Sequence, residues 1–202
     1  MKTFCISLPE TNERFLRAKN HFEEIGLNVE FIHGINWKSS GLMTSNTYDF
    51  DNPGDGYRIP AKQVGLFLSH YIAWSIIVHQ ENDPVMVLED DALFSEGAKE
   101  IIQQALYALT EKQIEYDMLF VGSGNTFDKE KTQVLGNIWE VKYPQTTHAY
   151  IIKKEAARRL LYEQRKVYAP IDLALIHDSF PKMKILTLLP RVVSQYGQEI
   201  AA

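Results

Sequence analysis

The sequence has a single cysteine, Cys5, among its 202 residues. An internal disulfide is therefore excluded, and no CxxC pair or Cys/His cluster indicates structural zinc. No stretch approaches the roughly 20 apolar residues of a membrane-spanning helix. The apolar run after Lys2 ends at Pro9, short of the about 7–15 residues of a secretory signal core. We therefore expect a cytoplasmic protein with at most peripheral membrane association.

The chain also lacks an excess of positive charge. It has 21 Lys and Arg against 26 Asp and Glu, a formal net charge of -5. This balance argues against a nucleic-acid-binding protein that relies on bulk positive potential. With 45% hydrophobic residues, 11 Gly and 8 Pro, the composition excludes disordered and collagen-like classes. We predict one globular domain spanning residues 1–202.

Apolar patterning predicts an alternation of strands and helices. The predicted strands cover residues 2–8, 29–32, 84–88, 117–121, 137–143, 148–152 and 184–189. The predicted helices cover residues 14–25, 61–81, 96–109 and 154–163, and Asp172 opens a further short helical segment. Such alternation favours an α/β fold with a mostly parallel sheet flanked by helices.

Three consecutive acids, Glu89, Asp90 and Asp91, follow the continuous apolar run at residues 84–88. Ionised carboxylates crowded in this way require a counter-charge, and a divalent cation supplies it economically. Ligand sites of open α/β sheets lie beyond the carboxyl ends of the strands, where this triplet falls. The alternative is an acidic loop whose side chains point into water.

The segment 34–60 has no regular pattern and is crowded with Ser, Asn, Asp, Gly and Pro. An irregular stretch of this length is uncommon in a compact domain, and it is usually functional or disordered. We predict a lid that excludes water and stacks on a base or sugar. Its candidate contact residues are Trp37, Tyr48, Phe50, Tyr57 and Arg58. Alternatively, these aromatics only attach the loop to the core.

An ordered set of motifs carries a family resemblance. Residues 65–71 read Gly-Leu-Phe-Leu-Ser-His-Tyr, Trp74 follows, and residues 87–92 read Val-Leu-Glu-Asp-Asp-Ala. Together with the opening Cys-Ile-Ser-Leu, the Tyr-Asp-Met-Leu-Phe-Val-Gly run at 116–122 and the Pro-Ile-Asp at 170–172, this order resembles glycosyltransferase family 25. Two positions depart from the family pattern: Leu66 replaces its usual Cys, and Ser7 its usual Asn.

The resemblance implies a GT-A-like fold, a UDP-sugar donor and inversion at the anomeric carbon. It implies a metal-assisted transfer of a hexose, galactose or glucose, to a lipooligosaccharide or other cell-surface glycan, at the inner face of the bacterial inner membrane. The acidic triplet resembles a DxD motif for Mn²⁺ or Mg²⁺. The predicted metal ligands are then Asp91 first, with Glu89, which also contacts the ribose or a metal-bound water, and Gln195.

The same resemblance assigns the remaining candidate residues. An inverting transfer requires a general base, for which we predict Asp172, and Asp90 is predicted to join it in catalysis. The predicted donor-binding residues are Ser7, Leu8, Arg14, Gly65, Ser69, His70 and Glu89. Each has a structural alternative: Asp172 as a helix N-cap, His70 as a core residue, Arg14 as a solvated helix residue.

Two further functional classes remain open at the level of the sequence. One is a catalytically silent module that keeps the fold and binds a nucleotide sugar without turning it over. The other is a scaffold protein that uses the loop 34–60 to bind a partner.

Overall fold

The computed structural model describes residues 1–8, 13–40, 45–46, 58–122 and 131–197. The strands are β1 (Lys2–Ser7), β2 (Glu30–His33), β3 (Ser45–Asn46), β4 (Arg58–Ile59), β5 (Val85–Glu89), β6 (Ala92–Phe94), β7 (Met118–Gly122), β8 (Thr132–Leu135), β9 (Ile138–Glu140), β10 (Ala149–Ile152), β11 (Ile185–Leu188) and β12 (Val193–Gln195). The helices are α1 (Glu13–Glu24), α2 (Ala61–Ile77), α3 (Ala98–Glu111), α4 (Lys154–Glu163) and α5 (Ile171–Ala174). A π-helical turn, Leu175–Ser179, and a 3₁₀ turn, Phe180–Lys182, follow α5.

Eight strands form one sheet in the order β2-β1-β5-β10-β7-β11-β9-β8. The pairs β1–β2, β1–β5 and β7–β11 are parallel, whereas β10 is antiparallel to both of its neighbours and β9 is antiparallel to both of its own. All strands of this sheet except β9 and β10 therefore run in one direction. This architecture confirms the predicted α/β class with a mostly parallel sheet.

The sheet has a hydrophobic core on each face. Strand β5 shows why, because its residues Val85 to Leu88 are at most 3% exposed and alternate between the two cores. Helices α2, α4 and α5 cover one face, and α1 and α3 cover the other. A strand covered on both faces reads as a continuous apolar run, as predicted for this segment.

Helix α1 ends where the sequence indicates. Gly26 adopts a φ of +61°, and the Leu27 N–H donates to the Phe22 carbonyl at 2.8 Å. This left-handed position favours glycine because a Cβ there is strained. Helix α2 is shorter than predicted and ends at Ile77. Its last turn tightens, since His79 and Gln80 donate to the carbonyls three residues earlier.

Several short elements differ from the sequence prediction. The hairpin β3–β4 lies within the predicted irregular segment, and β6 pairs with β12 in a separate two-stranded sheet. Most of the predicted lid, including Tyr48, Phe50 and Tyr57, lies outside the described residues. No helix within the described ranges is long and apolar enough to cross a membrane. The number of domains stays a prediction.

Candidate functional site

The acidic triplet lies at the carboxyl end of β5, beside the carboxyl end of β1. The two strands are parallel, with Ile6 opposite Glu89 in the register. A cleft of about 300 Å³ opens at this edge of the sheet. Eight of the residues predicted for the site line it: Ser7, Leu8, Arg14, Ser69, Glu89, Asp90, Asp91 and Gln195. The position agrees with the rule that ligand sites of α/β sheets lie beyond the carboxyl ends of the strands.

Asp90 is almost fully buried, at 7% exposure, and both of its oxygens have partners. The Ser7 hydroxyl donates to Oδ2 at 2.8 Å, and Arg14 Nη2 lies 2.5 Å from Oδ1. The same nitrogen of Arg14 donates to Asp91 Oδ2 at 3.0 Å. Arg14, from the first turn of α1, is therefore the counter-charge that the structure places on these two acids. Its side chain is partly exposed and contacts both acids, unlike a helix residue that extends only into solvent.

The charge on Asp91 is only partly compensated. Burial raises the pKa of Asp91, and the neighbouring Glu89 and Asp90 raise it further. Arg14 and Gln195 lower the pKa of Asp91 without cancelling the increase. Its Oδ1 atom is buried and has no hydrogen-bond partner in the part of the chain that the structure describes. A carboxylate oxygen in this state favours the approach of another cation.

The Asp91 Oδ1 atom, which has no hydrogen-bond partner among the described residues, also indicates whether a divalent metal fits the site. Among the described residues, no group of three or more His, Cys, Asp or Glu side chains is arranged to hold a metal. Mg²⁺ is commonly held by one or two carboxylates, with substrate phosphates completing its coordination. Asp91 offers one free oxygen at the cleft, and the Gln195 side chain lies beside it. The residues thus fit a metal completed by a diphosphate, not one held by the protein alone.

Glu89 ends a buried chain of hydrogen bonds that leads away from the cleft. Its Oε1 accepts from the Thr147 hydroxyl at 2.8 Å and lies 3.2 Å from His70 Nε2. The other ring nitrogen, Nδ1, lies 3.0 Å from the Tyr150 hydroxyl oxygen. That oxygen also accepts from the Trp74 indole at 2.9 Å. We call these five side chains the Glu89 relay.

The direction of the protons in the relay follows from its chemistry. The Trp74 indole nitrogen can only donate, so the Tyr150 oxygen accepts from it. The Tyr150 hydroxyl proton is then available for His70 Nδ1, and His70 donates from Nε2 to Glu89. Burial raises the pKa of Glu89, but the hydrogen bond and charge interaction with His70, the hydrogen bond of Thr147 and the charge interaction with His148 together lower it. The relay therefore holds Glu89 ionised at the cleft.

Two predicted donor-binding residues lie behind the cleft surface. His70 has no exposed surface, and both of its ring nitrogens are in the relay, so within the described residues it is connected to the cleft through Glu89. Gly65 permits a close approach of helix and loop, because a Cβ there would lie 2.9 Å from the Ile35 carbonyl oxygen. Ser69 reinforces this contact, accepting from the Ile35 N–H at 2.8 Å and donating to the Gly65 carbonyl at 2.7 Å.

The predicted base, Asp172, is not among the described residues that line the cleft. It lies in α5, where its Oδ1 accepts from the Leu173 N–H at 3.0 Å. Nor does it cap the helix: Pro170 occupies the N-cap position. The Asp172 residue is partly exposed. The prediction that it is the base stays open.

Sequence reasoning missed Tyr150 and Thr147. Tyr150 is a fully buried tyrosine in an apolar strand, and a buried phenol usually has a hydrogen-bond partner. The sequence therefore indicated that Tyr150 needs a partner, but it did not indicate that the partners are Trp74 and His70, 76 and 80 positions earlier. His148, next to Thr147, packs against β7 so closely that a Cβ on Gly122 would lie 2.4 Å from its Nε2.

Comparison with known proteins agrees with this architecture. Residues 1–175 match the family model described as glycosyltransferase family 25 (LPS biosynthesis protein). The chain belongs to glycosyltransferase family 25. A family 25 relative from Bos taurus, named a probable inactive glycosyltransferase 25 family member 3, is 28% identical over 191 residues. That match covers 89% of this chain and 32% of the relative.

A second family 25 relative, procollagen galactosyltransferase 2 from Homo sapiens, is 23% identical over 168 residues, or 78% of this chain and 27% of the relative. This family 25 chain thus spans about a third or less of the length of both relatives. A solved structure of apo UDP-glucose pyrophosphorylase aligns with a TM-score of 0.50 at 14% identity, covering 93% of this chain and 90% of that one. The likeness shows a shared GT-A-like fold and nothing further.

Proposed function

We propose that this family 25 chain transfers a hexose, galactose or glucose, from a UDP-sugar to a lipooligosaccharide or other cell-surface glycan. The observation that carries the proposal is the convergence of Asp90, Asp91, Arg14 and Ser7 on one cleft at the carboxyl edge of parallel strands. Family membership and the relative named a procollagen galactosyltransferase support it. A lipid-linked acceptor favours a cytoplasmic location at the inner face of the bacterial inner membrane.

The chain's own residues divide the work of binding the donor. Asp91 and, beside it, Gln195 would hold Mn²⁺ or Mg²⁺, which acts as a Lewis acid on the diphosphate leaving group. Asp90 holds Arg14 at the same place, and a guanidinium binds phosphate oxygens well. Glu89, ionised and fixed by the relay, is placed to accept a hydrogen bond from a donor hydroxyl.

A catalytically silent module is the second candidate, and a specific observation favours it. Arg14 already pairs with Asp91, the acid that a metal would use, and the Bos taurus relative is named a probable inactive member. Such a module would be stabilised by UDP-sugars on heating but would release no UDP, since stabilisation by a ligand needs only binding. Transfer and binding are therefore measured separately.

The test measures UDP release from a panel of UDP-sugars with Mn²⁺ and acceptor glycans. We expect release with the wild type, and a loss of about 100-fold or more in Asp91→Asn, because one electrostatic contact to developing charge is worth that much. The control Glu111→Gln removes an exposed acid at the end of α3 and should transfer normally.

Stability separates a functional from a structural effect in the same experiment. Because the surroundings of Asp91 raise its pKa, its charge is unfavourable there, and Asp91→Asn should unfold no more easily than the wild type without ligand. Asp172→Asn tests the base and should lower turnover without changing UDP affinity. Normal transfer by Asp91→Asn would contradict the metal assignment; donor-induced stabilisation without UDP release would favour the silent module.

A further inference from the structure

Arg14 makes an asymmetric pair of contacts with the acidic triplet. One guanidinium nitrogen, Nη2, lies 2.5 Å from Asp90 Oδ1 and 3.0 Å from Asp91 Oδ2. The Arg14 side chain is 42% exposed, whereas the side chains of Asp90 and Asp91 are 9% and 20% exposed. The arginine thus reaches from the rim of the cleft to both acids, and it lines the cleft itself.

The two acids differ in what Arg14 leaves unsatisfied. Asp90 has no remaining oxygen, because Ser7 donates to its Oδ2. Asp91 keeps one buried oxygen, Oδ1, without a partner in the described part of the chain. Asp90 therefore binds Arg14 with no oxygen left over, and Asp91 is the acid with an oxygen available to a second cation.

A guanidinium and a divalent cation on the same carboxylate repel each other. At a separation of about 4 Å, this repulsion is substantial wherever the effective dielectric is below that of water. A diphosphate removes the conflict, since it carries negative charge for both cations and its oxygens suit the arginine. The cleft that holds Asp91 also opens onto Arg14.

We infer that Arg14 is the resting counter-ion of Asp91, and that it exchanges this acid for the donor's diphosphate when the metal and nucleotide bind. This inference rests on the proposed donor and metal. Its consequence is cooperativity: the metal alone must compete with Arg14, and UDP removes the competitor. Metal and UDP then bind together more tightly than either binds alone, by reciprocal linkage.

The experiment titrates Mn²⁺ calorimetrically into the protein with and without UDP. Arg14→Gln should bind Mn²⁺ alone about tenfold more tightly than the wild type, since one charge-assisted contact no longer has to be displaced. The enhancement of Mn²⁺ affinity by UDP, present in the wild type, should shrink in this variant. Arg14→Lys keeps the charge but cannot present the planar fork, so its Mn²⁺ affinity should fall between the two.

Lys19→Gln is the matched control, because it removes an equal charge from the same helix at a half-exposed site whose partner is Glu23. Its Mn²⁺ affinity should equal that of the wild type. The inference is overturned if Arg14→Gln binds Mn²⁺ no more tightly without UDP, if Lys19→Gln tightens it equally, or if wild-type Mn²⁺ and UDP affinities are independent. These readouts are binding constants, so a chain that binds cooperatively yet transfers no sugar would refute only the proposed transfer.

Discussion

The Tyr150 hydroxyl is the junction of the Glu89 relay, so its removal is a demanding test of the structure. Tyr150→Phe keeps the ring packing in strand β10 and deletes one oxygen. Two buried groups lose their partner: the Trp74 indole N–H, 2.9 Å away, and His70 Nδ1, 3.0 Å away. Neither reaches water, because Trp74 and His70 are both fully buried.

The expected cost follows from that count. An unsatisfied buried polar group costs about 1–3 kcal/mol, so two groups cost about 2–6 kcal/mol of unfolding free energy. For a chain of this length each kcal/mol lowers the melting temperature by about 2–4 °C. We therefore expect Tyr150→Phe to melt at least about 4 °C lower. Tyr107→Phe, at a 68% exposed tyrosine, should change stability by less than about 0.5 kcal/mol.

A double-mutant cycle with Trp74→Phe isolates the junction. Trp74→Phe removes the indole donor, so a following Tyr150→Phe leaves only His70 unsatisfied and should cost about half as much. The volume lost at Trp74 is the same in the single variant Trp74→Phe and in the double variant, so its effect cancels in the cycle. Urea unfolding at neutral pH measures all four proteins. If Tyr150→Phe costs no more than Tyr107→Phe, the hydroxyl does not join the two groups and the reasoning about Glu89 is wrong.

Two further predictions concern the strands beside the site. Gly122→Ala would place a methyl group 2.4 Å from His148 Nε2 and 2.6 Å from the Val193 carbonyl oxygen. Chemical denaturation should therefore show a loss of about 1–3 kcal/mol in the free energy of unfolding. An unchanged free energy of unfolding would mean that β7 and His148 are not in contact. Burial lowers the pKa of His148 below its ordinary 6.5, so the unfolded chain takes up a proton that the folded chain refuses, and stability should fall as the pH drops below 6.5. Burial also lowers the pKa of His21, which therefore acts in the same direction. His148→Gln should thus flatten the dependence of stability on pH only in part. An unchanged dependence would refute the role of His148.

Much of the fold was predictable because burial leaves a pattern in the sequence. The apolar run that became β5, the glycine that ends α1 and the helix α4 at Lys154–Glu163 were all predicted with their correct type. Strands β6, β8 and β12 were missed, since each has three or four residues and at least partly exposed positions. A run that short carries too little periodicity to be distinguished from a loop.

The site was predictable in its residues and less so in its contacts. The crowded acids indicated a required counter-charge, and the sequence reasoning favoured a metal. The structure supplies Arg14, which lies 76 and 77 positions earlier in the chain. His70 was recognised as noteworthy, but only its complete burial shows that it acts through Glu89. Pairings across such separations depend on strand order, which hydrophobic pattern does not encode.

The reversed direction of β10 decides which neighbouring segment can tune the cleft. Its first residue, Ala149, lies opposite Leu88, and the Glu89 N–H donates to the His148 carbonyl at 2.9 Å. Residues 144–148 thus arrive at the carboxylate edge, whereas the chain leaves β10 at the far rim to begin α4. Substitutions in residues 144–148 therefore reach the edge of the sheet that bears the acidic triplet, whereas substitutions just after Ile152 lie at the opposite edge.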